Sequence, residues 1–61
     1  MGIVGTIVNR DGYDMDIVFS PDDGGYYAER WTDNATTSVY KTSRELLDAL
    51  DAFNVQWNAD N

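Results

Sequence analysis

Tyr13-Asp14-Met15-Asp16-Ile17-Val18-Phe19 alternates with a period of two, Tyr13, Met15, Ile17 and Phe19 on one side and Asp14, Asp16 and Val18 on the other. Successive side chains of an extended chain point to opposite faces. The pattern therefore predicts a strand over about 13–19, with an apolar face toward a core and two carboxylates on the reverse. Upstream, Ile3 to Val8 is apolar and β-branched, is interrupted by Gly5, and reads as a strand over about 2–9. Asp11-Gly12 between the two runs is a strong hairpin signal, because both residues tolerate positive φ.

Downstream, Ser20-Pro21-Asp22-Asp23-Gly24-Gly25 is rich in breakers and reads as a loop. A third strand is expected over about 26–32, with Tyr27, Glu29 and Trp31 on one side and Tyr26, Ala28 and Arg30 on the other. Asp33-Asn34-Ala35 makes the next turn, and the β-branched run up to Tyr40 predicts a fourth strand over about 36–41. Thr42-Ser43-Arg44-Glu45 has capping-box spacing, in which the Thr42 hydroxyl accepts from the amide three residues on and Glu45 reaches back to the Thr42 amide. A helix is expected over about 43–54, with Leu46, Ala49, Leu50 and Phe53 on one face, Asp48 and Asp51 on the opposite one, and Asn54 at its end. The chain thus reads as one domain, 1–61, of the α+β class: an antiparallel three- to four-stranded β-meander packed against one C-terminal α-helix. The expected core is Ile7, Met15, Ile17, Phe19, Tyr27, Val39, Leu46, Leu50 and Phe53.

A domain of 61 residues is near the lower limit for a self-sufficient core, and small scaffolds commonly rely on disulfides, metals or oligomerisation. There is no cysteine and no histidine, so disulfides, thiolate zinc sites and the commonest metal ligand are absent. Cysteine-free composition fits a reducing compartment, no stretch approaches the ~20 apolar residues of a membrane span, and the N-terminus does not read as a signal peptide. A cytoplasmic location is the expectation.

Eleven acidic residues face four basic ones, for a net charge of −7. Direct nucleic-acid or anionic-membrane binding needs a cationic surface, so neither is expected. An acidic face suits a basic protein surface and speeds encounter with it; plain solubility and adaptation to salt account for the same charge without a partner. Catalysis is not expected. Nucleophilic triads need a base near neutral pKa, and Asp14 and Asp16 read as solvent-facing, with no apolar pocket to raise either. A calcium loop fails on register: with Gly12 at position six, Ile7 and Val18 would occupy ligand positions. Gly24-Gly25 is a bare pair, not a phosphate-binding loop. No metal or cofactor is therefore expected. Trp31 and Trp57 are hard to bury in so small a core, and an exposed Trp rimmed by Asp has the character of an interface hot spot.

Gly24-Gly25-Tyr26-Tyr27-Ala28-Glu29, preceded by the strand Met15 to Phe19 and an acidic loop, and followed by Thr42, Glu45, Leu46 and the Ala49-Leu50 pair, resembles the HicB-type antitoxin domain over about two-thirds of the chain. The resemblance implies a partial RNase-H-like β-β-β-α-β fold and, as partner, a small basic toxin. Arg30-Trp31-Thr32-Asp33-Asn34 stands where that family has a Pro-Asp-Leu-Pro-Gly turn.

The leading expectation is a small acidic protein-binding module, of the type of phage inhibitors that occupy a nucleic-acid-handling or defence enzyme by charge mimicry. Asp14, Asp16, Asp22, Asp23, Glu29, Trp31, Asp48 and Asp51 are the candidate contacts. An antitoxin-like module and a homodimer that buries Trp31 and Trp57 are the alternatives.

Overall fold

The computed structural model describes residues 2–10, 13–52 and 54–58. Three antiparallel strands, β1 (Gly2–Arg10), β2 (Tyr13–Ser20) and β3 (Gly25–Arg30), form a sheet in the order β1-β2-β3, and one helix, α1 (Ser43–Asp51), follows. The expected α+β class and antiparallel meander are what the structure shows. The Asp11-Gly12 turn and Phe53 lie outside the described residues.

β2 is central, and its alternation organises the molecule. Met15 lies opposite Ile7 on β1 and Arg30 on β3; Ile17 lies opposite Gly5 and Ala28. Met15, Ile17 and Ala28 form a buried cluster with Leu46 and Leu50 of α1, so the helix covers this face of the sheet. Ile7, Tyr26, Tyr40, Val55 and Trp57 pack around its margin. Leu46 is wholly buried, and burial of such a side chain contributes about 1.5–3 kcal/mol.

The expected core needs three corrections. Tyr27 lies on the opposite sheet face, because its neighbours Tyr26 and Ala28 both pack on the helix side. Phe19 is at the exposed end of β2, where its ring packs against Tyr26 with centroids 5.1 Å apart and planes tilted by 52°. Val39 is exposed. Val18, conversely, is buried on the face away from the helix, between its cross-strand partners Ile3 and Tyr27.

Residues 36–41 do not form a strand. The segment runs along β3 with the right polarity, bridging Glu29 to Thr36 and Tyr26 to Tyr40. Tyr26 and Tyr40 exchange backbone hydrogen bonds of 2.7 and 2.8 Å. Between them the ladder is broken by a side chain: the Ala28 amide donates to Thr37 Oγ1 at 3.0 Å rather than to a backbone carbonyl. A threonine hydroxyl competes with the backbone for such partners, and here it replaces one rung. The preceding turn is set by Asn34 at φ 57 and by Asp33, which accepts from the Ala35 amide and from both Arg30 Nε and Nη2. The third strand accordingly stops at Arg30, short of the expected 32.

Gly24 and Gly25 serve different ends. Gly24 turns the chain at φ 68, whereas a Cβ on Gly25 would collide with the Tyr40 carbonyl and the Val39 side chain. The helix starts as expected, with Thr42 Oγ1 accepting from the Glu45 amide at 3.1 Å. It ends early, at Asp51, with Ala52 as cap. Its last turn holds no basic residue, and an aspartate there opposes the helix dipole. The chain then turns back: the Asn54 amide donates to Ala49 O at 2.8 Å, and Asn58 pairs with Thr36 through hydrogen bonds of 2.8 and 2.9 Å.

Candidate protein-binding face

Among the described residues no helix or strand packs on the sheet face away from α1, and strand parity determines what it carries. On β2 it carries Asp14, Asp16 and the buried Val18 and Ser20, and on β3 Tyr27 and Glu29. Asp16 and Glu29 lie directly opposite one another. The Trp31 amide donates to Asp14 O at 2.9 Å, which extends the ladder by one rung and sets Trp31 beside Asp14. Trp31 is 50% exposed. On the β1 side, Thr6 faces Asp16 and donates to its Oδ1 at 3.1 Å.

The result is a short row of carboxylates, Asp14, Asp16 and Glu29, bounded by Trp31 at one end and Tyr27 toward the other. Burial first, then the charges of Glu29 and Asp23, push the Tyr27 phenol above its ordinary value of 10.0. That places Asp23 in the same field. Asp23 is itself held by Ser20, whose hydroxyl donates to Oδ2 at 2.8 Å.

Like charges directly opposite on a sheet are destabilising, by a few tenths of a kcal/mol to about 1. Asp16 and Glu29 stand in that disfavoured register. The arrangement is linear rather than convergent, and among the described residues no three acidic side chains gather as a metal site.

The expected contact residues thus separate. Asp14, Asp16, Glu29 and Trp31 share the uncovered face, with Asp23 at its margin. Asp22 is exposed in the β2–β3 turn. Asp48 and Asp51 are exposed on α1, on the other side of the sheet. Tyr27 and Thr6 belong to the face and were not among the expected residues; Tyr27 shares the parity of Glu29 and Trp31, which is the signal that could have found it. Trp57 does not belong: the Arg30 guanidinium lies 4.9 Å from its ring centroid, on the core side.

No protein-family model, curated protein or solved structure matches this chain. No helix among the described residues is long and apolar enough to cross a membrane.

Proposed function

We propose that this chain is a non-catalytic binding module that presents its uncovered sheet face to a basic protein surface. One observation carries the reading: Asp16 and Glu29 are held in direct opposition, beside Asp14 and a half-exposed Trp31. Solubility alone is served as well by dispersed charges, without a repulsive pair. A cationic partner turns that repulsion into attraction on binding, and Trp31 supplies the aromatic anchor that charged interfaces need for affinity. Charge mimicry of nucleic acid, with the carboxylates occupying phosphate-binding pockets of an enzyme, is the form of this activity that fits an acidic row on a rigid sheet.

The test is a pull-down with tagged protein, washed at low and high salt and challenged with competing DNA. Capture of a nucleic-acid enzyme that is lost at high salt and displaced by DNA supports mimicry. Capture of a small basic protein indifferent to DNA moves the reading to an antitoxin-like module. Binding that is insensitive to salt contradicts both, because exposed charge pairs are screened. Trp31→Ala should weaken capture by on the order of 2 kcal/mol if Trp31 is the anchor.

A further inference from the structure

Asp23-Gly24 sits in the β2–β3 turn, whose ladder closes at Ser20 and Gly25. Both residues are exposed, and Gly24 holds φ 68 with nothing within 4 Å of the position a Cβ would take. An aspartate followed by glycine carries a chemistry of its own, because no side chain on the next residue shields its amide nitrogen from the carboxyl carbon. The structure separates this pair from the other described aspartates. Asp14 and Asp16 precede Met15 and Ile17 within the paired β2 strand. Asp48 precedes Ala49 within α1, and the amide after Asp51, that of Ala52, donates to Asp48 O at 3.0 Å. The Asp33 carboxylate is held by Arg30 and by the Ala35 amide. Asp22 precedes Asp23 and not glycine. The Asp23 carboxylate is tied back to the end of β2 by the Ser20 hydroxyl, at 2.8 Å.

We propose that Asp23-Gly24 is a self-modification site, at which the chain isomerises to isoaspartate. The Gly24 nitrogen attacks Cγ of the Asp23 carboxylic acid. A C–N bond forms, the hydroxyl and the amide proton leave as water, and a cyclic imide results. Water then opens the imide. Attack at the side-chain carbonyl restores Asp23; attack at the main-chain carbonyl leaves the backbone running through the former side chain. The net change is an isomerisation, so no oxidant, metal or enzyme enters. Ser20 restrains the reaction, since the carboxyl must leave its hydroxyl to reach the next amide. The product has a methylene more in the turn and a carboxylate nearer the main chain. Ser20, only 9% exposed, then loses its acceptor, and the lengthened turn no longer matches the Ser20–Gly25 closure. Asp23 stands at the margin of the acidic face, so the isomerised chain presents an altered end of that face.

The test is a time course of the folded chain at physiological temperature in water enriched in heavy oxygen, followed by peptide mapping. Electron-transfer fragmentation assigns the product to Asp23 rather than to Asp11, which also precedes glycine. The expected result is isoaspartate at Asp23, with one heavy oxygen taken up for each imide opened. Folded Ser20→Ala should convert faster by a factor of about 2–10, the worth of one released hydrogen bond. Wild type unfolded in urea also lacks the Ser20 bond, so its faster conversion is the check that does not depend on the variant folding. The isomerised fraction, once separated, should unfold at a lower urea concentration than the parent chain. An Asp23 still unmodified in the folded chain when the unfolded chain has converted, or a folded Ser20→Ala no faster than wild type, overturns the proposal.

Discussion

Glu29→Gln should make this protein more stable and a poorer binder. Directly opposed residues on neighbouring strands hold their Cβ atoms about 4.5–5.5 Å apart, and Asp16 and Glu29 are such a pair. Two unit charges at that spacing would repel by about 0.8 kcal/mol in water; the Thr6 hydrogen bond holds the Asp16 carboxylate toward β1, so the repulsion is smaller than this. Measured cross-strand pairs span about 0.2–1 kcal/mol, which brackets the expected gain. In a domain of this size each kcal/mol moves Tm by about 4–8 °C, so the rise should be about 1–8 °C at low salt. Thermal and urea unfolding followed by tryptophan fluorescence will read it. The increment should shrink toward zero near 1 M salt, where the Debye length is about 3 Å. A neutral or destabilising Glu29→Gln at low salt would refute the reasoning: the row would then not be repulsive, and its cost could not be the mark of a binding face.

Four further outcomes follow from the geometry. Thr37→Val leaves the buried Ala28 amide without its acceptor and should cost about 1–3 kcal/mol in urea unfolding, with Thr37→Ser largely retaining stability. Gly25→Ala drives a Cβ into the Tyr40 carbonyl and should cost about 1–3 kcal/mol, with loss of amide protection at Tyr26 and Tyr40. Asp33 is held at about 2 against an ordinary 3.8, chiefly by its hydrogen bonds from Arg30. A lowered folded-state value means that its contribution is present above the unfolded pKa and is lost as pH falls through the folded one; the urea midpoint should therefore drop between about pH 4 and pH 2, less so in Asp33→Asn. The Tyr27 phenol, with a raised value, should ionise above 10.0 by ultraviolet titration, and stability should fall as pH rises through that range. Glu29→Gln should move this titration downward while burial keeps it above 10.0.

Local periodicity carried the legible part of the fold. The alternation from Tyr13 to Phe19 placed β2 and named Met15 and Ile17 as core, and the capping pattern at Thr42 placed the start of α1. Other features depend on contacts between distant segments. Thr37 breaks the fourth strand because its hydroxyl reaches an amide nine residues away, and no propensity of the segment 36–41 encodes that. Val18 is buried on the face away from α1, opposite Ile3 and Tyr27, a placement that requires the register of all three strands. The acidic face was half legible. Parity grouped Asp14 with Asp16, and Glu29 with Trp31, but only the pairing of β2 with β3 sets the two groups side by side. Asp48 and Asp51 shared the charge and not the location, because α1 packs on the opposite side.

The most direct measurement compares two variants that each remove three negative charges from the −7 of the wild type. One carries Asp14→Asn, Asp16→Asn and Glu29→Gln on the uncovered sheet face; the other carries Glu45→Gln, Asp48→Asn and Asp51→Asn on α1. Quantitative mass spectrometry of the proteins each retains at low salt should show basic partners lost from the sheet-face variant and kept by the helix variant. Equal loss from both would mean that bulk charge alone does the binding, and loss from the helix variant alone would put the partner on the other side of the molecule; either result contradicts the account.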